Sequence, residues 1–134
     1  MHTDQGRIIL ETDRFTESII GCAFTVSNGL GSGFLEKVYE NALVLELLEA
    51  GHEVKQQFSA PVFYPETKVG DYVADLVVDN RVLIELKAVK ALDPIHEAQC
   101  YNYLNATEID VCLLFNFGRP KIEIKRILRK SSSV

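Results

Sequence analysis

The chain has 134 residues, 47% of them apolar and 25% charged, and carries a net charge of −5. That is the composition of one soluble domain spanning 1–134, and the acidic balance excludes a general, charge-driven grip on duplex nucleic acid. Apolar runs fall short of the roughly 20 residues of a membrane span. Met1 to Arg7 lacks the layout of a signal peptide. Cys22, Cys100 and Cys112 have no CxxC spacing and read as reduced, buried thiols of a cytoplasmic protein.

The first element is a helix from about Asp13 to Asn28, with Thr12 or Asp13 as N-cap and Phe15, Ile19, Cys22 and Val26 on one face. Residues 1–11 ahead of it, like 129–134 at the far end, are expected to fray. Gly29-Leu30-Gly31-Ser32-Gly33 is a tight turn, too short and without the lysine of a phosphate-binding loop. A second helix is expected from Phe34 to Ala50, with Leu35, Val38, Ala42, Leu45 and Leu48 or Glu49 along a face. Its apolar content is high enough to bury it on two sides.

After Gly51 the pattern turns to strands. Glu53–Phe58 and Ala60–Tyr64 are separated near Pro61, and Pro65–Lys68 turns the chain. Asp71–Val78 and Arg81–Ala88 flank Asp79-Asn80. Asp93-Pro94 opens a third helix that ends near Asn105. Val111–Phe115 reads as a strand buried on both faces. Lys121–Leu128 is the last strand. The order is α, α, β-meander, α, β, β, which closes most simply as an α/β fold with a mixed central sheet flanked by helices.

Chemistry concentrates in Asp75 and in Glu85-Leu86-Lys87, charges set inside apolar strands, where they cost free energy unless compensated. Alternation puts Glu85 and Lys87 on one face. Asp75 joins them only if Asp79-Asn80-Arg81 makes a three-residue turn, with Asn80 taking a left-handed conformation. A two-residue turn would put the two acids on opposite faces. Converging carboxylates suit Mg²⁺ or Mn²⁺, and the Leu86 carbonyl is a further ligand. Lys87 would position or deprotonate an attacking water. On the third helix Gln99 and Tyr103 lie four apart on one face and suit substrate contact. On the second helix Glu36 suits an outer ligand position. The competing structural readings are a wet cross-strand cluster, a helix surface pair and a solvated carboxylate. His2, His52 and His96 lack metal-ligand spacing, with His96 a surface residue at a helix start. No serine or cysteine has a nearby base to suggest acyl transfer. The basic tail Lys121, Lys125, Arg126, Arg129 and Lys130 reads as a solvated face.

Gly33-Phe34-Leu35-Glu36-Lys37-Val38-Tyr39 matches a GxxExxY signature, and Asp75, Glu85-Leu86-Lys87, Gln99 with Tyr103 and Asn116-Phe117-Gly118 follow in order. The set resembles the prokaryotic GxxExxY family, a compact branch of the PD-(D/E)XK nuclease superfamily, over residues 12 to 128. The resemblance implies a restriction-endonuclease-like αβββαβ core. It implies Asp75 and Glu85 as metal ligands, Lys87 as catalytic lysine, Glu36 as the first-helix acid, and Gln99 with Tyr103 on an accessory helix. Ala74 stands where the superfamily pattern has a proline that many members also lack, Ser27 where a histidine is frequent, and Ser32 where a proline is frequent.

The expected function is Mg²⁺-dependent cleavage of nucleic acid, DNA first. The rival is an inactive module of the same fold that binds protein or nucleic acid, which acidic charge and small size favour. No membrane partner is expected. A homodimer through Phe115-Asn116-Phe117 would supply a groove that one small chain lacks.

Overall fold

The computed structural model of the chain describes the backbone of residues 2–130 and the side chains of 14–130. Two helices, α1 (His2–Leu30) and α2 (Glu36–Glu49), precede three strands, β1 (Val54–Tyr64), β2 (Thr67–Val78) and β3 (Val82–Lys87). Helix α3 (Pro94–Thr107) then leads to β4 (Val111–Asn116) and β5 (Glu123–Leu128). The strands form one sheet in sequential order. Neighbours are antiparallel except β3 and β4, which run parallel. A parallel pair needs a crossover, and α3 supplies it. The fold is thus the expected mixed sheet with helices on both faces.

One core joins α1 and α2 to the sheet through Ile19, Leu43 and Leu47 against Val78, Ile84 and Leu113. The other joins α3 to the opposite face through Cys100 and Leu104 against Leu83, Cys112 and Leu114. Strands β3 and β4 therefore have helices on both sides, and all but Lys87 among their residues are buried. Phe115 and Phe117 lie inside this packing, so they are not the expected dimer contact.

Element boundaries shift for local reasons. Helix α1 starts well before Thr12 and Asp13, which fall inside it, and runs through Asn28-Gly29. Its stop is Gly31, left-handed at φ +70°, whose N–H bonds the Ser27 carbonyl at 2.8 Å. Helix α2 buries Tyr39, Glu40, Leu43 and Leu47. The face through Leu35, Val38, Leu45 and Leu48 is exposed, a reversal of the expected packing. Both faces are apolar, so periodicity could not choose between them. Strand β1 is continuous through Pro61, because an edge strand can leave that missing N–H facing outward. Strand β2 begins at Thr67 instead of Asp71, paired with Tyr64 across Pro65-Glu66. At the start of α3, Asp93 caps the Ile95 N–H, and the His96 ring accepts from the Asp93 N–H. His96 is thus a capping residue. Helix α1 includes residues 2–11, and Arg129 is tied to Asp110 by its N–H (2.8 Å) and its guanidinium (2.9 Å). Residues 131–134 lie outside the described residues.

Candidate active site

The β2–β3 turn decides whether the charged strand residues meet. Val78 pairs with Val82, Val77 with Leu83 and Leu76 with Ile84. This is the three-residue register, with Asp79 at φ +50° and Asn80 at φ +56°. Continuing it one step sets Asp75 across from Glu85. There the ladder opens and side chains take over. The Leu86 N–H donates to Asp75 Oδ2 at 2.8 Å, and the Asp75 N–H donates to the Glu85 carboxylate.

A second irregularity aims these groups. Tyr72 and Ala74 pack on the α3 side of the sheet, whereas Leu76 and Val78 pack on the α1–α2 side. Strict alternation would put all four on one face, so the parity reverses at Asp75. Opposite it on β1, Gln57 is left-handed at φ +55° and skipped by the pairing, which runs Gln56↔Leu76 and Phe58↔Ala74. The Gln57 amide donates to both Glu40 oxygens at 3.0 Å and also reaches Asp75. The kink thus links an α2 acid to the β2 acid.

Glu85 is only 7% exposed, and the Tyr72 hydroxyl donates to it. The Tyr72 ring stacks on Tyr103 with centroids 3.4 Å apart. Burial pushes the Glu85 carboxyl up to about 8, with Glu36 and Glu40 adding repulsion that Lys87 and the Asp75 N–H only partly offset. The Tyr72 hydrogen bond favours the charged form, yet burial outweighs it. Burial also raises Asp75, against the Leu86 N–H. Glu36, partly shielded at the start of α2, is raised first by desolvation and then by Asp75, with Lys87 opposing. Glu40 resists the same burial and is held low by Gln56, Lys37 and Gln57.

The site therefore brings together Asp75, Glu85, Lys87 and Glu36, with Tyr103 reaching Glu85 through Tyr72. Gln99 sits half-buried one turn before Tyr103. Glu40, Gln57 and Tyr72 were missed. Glu40 follows Glu36 by one helical turn, which was a usable signal; the other two depend on the parity reversal and left none. The donors are hard oxygens, and crowded buried acids call for a cation, so the residues fit Mg²⁺ or Mn²⁺ in kind. Among the described residues, no three His, Cys, Asp or Glu side chains stand close enough to share an ion. A cavity of about 240 Å³ bordered by Phe15, Arg81 and Asp110 lies at the other end of β3 and includes none of the site residues.

Two motifs act as scaffold. The Tyr39 hydroxyl donates to the Gly31 carbonyl at 2.6 Å and accepts from the Phe34 N–H at 3.2 Å, fixing the glycine turn ahead of Glu36. Its ring stacks on Phe117 at 4.8 Å. Asn116, fully buried, accepts from the N–H groups of Val89 (2.9 Å) and Gly118 (3.0 Å). It donates to the Val89 carbonyl (2.9 Å) and Glu123 (2.7 Å). The Phe117 N–H bonds the Lys87 carbonyl at 2.8 Å, so this clamp positions the lysine's backbone.

A family model of the PD-(D/E)XK nuclease superfamily matches residues 13–127. The chain belongs to that superfamily. No curated protein and no solved structure matches it. The matched stretch includes Asp75 and Glu85-Leu86-Lys87, and the match agrees with the mixed sheet seen here. Among the described residues, no helix of this superfamily member is long and apolar enough to cross a membrane.

One serine meets a histidine in space. Ser18 Oγ lies 2.8 Å from His52 Nε2, and His52 Nδ1 lies 2.8 Å from Asp79 Oδ2. Ser18 is in mid-helix, where backbone N–H groups are already bonded and none can hold an oxyanion. The chain of contacts instead ties α1 to the β2–β3 turn.

Proposed function

We propose that this superfamily member is a divalent-metal-dependent phosphodiesterase of the GxxExxY type, acting on nucleic acid with DNA as the first substrate. The observation that carries the reading is the strand register, which sets Asp75 beside Glu85-Leu86-Lys87 at the point where β2 and β3 part. Asp75, Glu85 and the Leu86 carbonyl would hold Mg²⁺ or Mn²⁺, with Glu36 as outer ligand. When bound, the ion would polarise the phosphoryl oxygen and acidify water. Lys87 would orient or deprotonate the attacking water and offset charge at phosphorus. Gln99 and Tyr103 would steady the substrate strand, and Tyr72 would hold Glu85 in place.

The test is cleavage of single-stranded, duplex and branched DNA and RNA with Mg²⁺ or Mn²⁺. Asp75→Ala and Lys87→Ala should each abolish cleavage while the circular dichroism spectrum stays native. Cleavage by either variant equal to that of the parent chain would refute the assignment. The net charge of −5 favours a second reading, an inactive module that binds protein or nucleic acid. Calorimetric titration with Mn²⁺ separates the two: binding lost in Asp75→Ala supports the enzyme, and no binding at millimolar metal supports the module.

A further inference from the structure

Ahead of Asp75, strand β2 pairs only with β1. The two strands lean on α3 there, with Phe58, Val62 and Tyr72 packed alongside Cys100 and Leu104. Between hairpin and helix lies a groove of about 550 Å³, bordered by Pro61, Val62 and Phe63 on one side and by Asn102, Asn105 and Ala106 on the other. Val62 and Phe63 are neighbours in sequence, and regular alternation would send them to opposite faces. The pairing register slips between them. That bulge lets both border one groove, a use bulges serve beside binding sites. Phe63 is left 57% exposed. The side-chain amides of Asn102 and Asn105 are exposed as well, and neither bonds another described residue. The groove thus joins an open aromatic face to two free amides, and no charged residue borders it.

We infer that this groove takes an unpaired base of a single-stranded nucleic acid whose backbone lies at the Asp75–Glu85–Lys87 centre; the inference rests on the phosphodiesterase reading above. Position argues for it. Gln99 precedes Asn102 by three residues, and Tyr103 precedes Ala106 by three, so the four share one side of α3. The groove therefore begins within one helical turn, about 5.4 Å, of the residues set toward substrate. Chemistry selects the occupant. A phosphate calls for cations, and the walls hold none. A neutral flat ring with donors and acceptors along its edge fits them. Phe63 offers a stacking surface, which every base can use, and each amide offers a donor beside an acceptor. An apolar side chain of a peptide would cover Phe63 and leave both amides unmatched. A paired base reaches the groove only by leaving its partner, so the ligand is single-stranded. Stacking also supplies affinity that a chain of net charge −5 does not draw from a basic surface.

Fluorescence anisotropy of short labelled strands, in chelator so that no metal supports cleavage, tests this. A strand carrying bases, of DNA or of RNA, should bind about tenfold or more tighter than an abasic strand of equal length and charge. Phe63→Ala, at a half-exposed position, should keep the native circular dichroism spectrum and erase that advantage. Asn102→Ala combined with Asn105→Ala should reduce it about fivefold. Leu45→Ala, exposed on α2, should change nothing. The chain has no tryptophan, so Phe63→Trp supplies the sole indole emission. A single strand with bases should quench it, and an abasic strand or a duplex should not. No binding at all, equal binding of base-bearing and abasic strands, or a Phe63→Ala chain that keeps the difference would overturn the base site, even if the parent chain cleaves. An unchanged advantage in the asparagine double variant would overturn the amide contacts. Base-dependent binding that Phe63→Ala removes, in a chain that cuts nothing with Mg²⁺ or Mn²⁺, would uphold the base site and refute the phosphodiesterase.

Discussion

Gly118→Ala offers a direct measure of how far the scaffold behind Lys87 can give. A Cβ at Gly118 would sit 2.7 Å from the Ala88 carbonyl carbon and closer still to the backbone N and O of Val89. These are main-chain atoms, so no side chain can rotate away. Relief requires moving the 88–89 segment off Asn116, which breaks its 2.9 Å bonds to the Val89 N–H and carbonyl. Each buried polar group left unpaired costs about 1–3 kcal/mol, so the variant should lose about 3–5 kcal/mol. Against a typical domain stability of about 5–15 kcal/mol that is a large fraction. Urea unfolding followed by circular dichroism gives the value directly. Asn116→Asp removes the two Nδ2 donations by another route and should cost a similar amount. The double variant should lose much less than the sum, since both changes empty the same clamp. A Gly118→Ala chain within about 0.5 kcal/mol of its parent would show that the 88–89 backbone is free to move and does not fix Lys87.

Three further outcomes follow from named contacts. Asp79 resists burial because the His52 ring and the Glu53 N–H bond hold its carboxyl low, so its stabilisation is present above the unfolded carboxylate value and lost as pH falls through the lower folded one. Asp79→Asn, which tolerates the same left-handed backbone, should cost about 1–2 kcal/mol near neutrality and converge with the parent in acid; a pH-independent gap in urea unfolding would refute this. Glu85→Gln removes a buried acid from among three others and should stabilise the chain in chelator by about 1–3 kcal/mol, and a lower midpoint would contradict the crowding described here. Tyr39→Phe keeps the stack on Phe117 but frees the Gly31 carbonyl and the Phe34 N–H, so a loss of about 1–2 kcal/mol is expected, with faster hydrogen exchange at Phe34; unchanged exchange would show that the hydroxyl does not hold the turn.

Local chemistry made much of the site legible. Asn80 tolerates the left-handed backbone of a three-residue turn, and that turn alone aligns Asp75 with Glu85. Asp93-Pro94 marked α3 for a similar reason, since cap and first-turn preferences are written in adjacent residues. What sequence could not disclose depended on tertiary context. The face of α2 that turns inward was ambiguous because Leu43 and Leu47 are no more apolar than Leu45 and Leu48. Tyr72 reaches Glu85 only because the strand changes parity beyond Ala74, and the cause lies on another strand, at Gln57. The Ser18–His52–Asp79 contacts span 34 and 27 residues and involve no motif.

The two α2 acids separate into different jobs, and this can be tested. Glu36 and Glu40 are one turn apart, and each adds to the charge felt by Glu85. Glu40 is buried and receives Lys37 at 2.9 Å, Gln56 at 2.6 Å and Gln57 at 3.0 Å. It anchors the left-handed Gln57 and through it the kink that turns Asp75 toward Glu85. Glu36 has no such partners and faces Asp75 and Lys87. Glu40→Gln turns the acceptor of these contacts into an amide that cannot receive them all, and should cost about 2–4 kcal/mol. Glu36→Gln should leave stability within about 0.5 kcal/mol. In a cleavage assay the order should differ in kind: Glu36→Gln should act on metal dependence at intact fold, and Glu40→Gln should follow the fraction folded. Equal destabilisation by the two substitutions would remove the distinction between an anchoring acid and a reacting one.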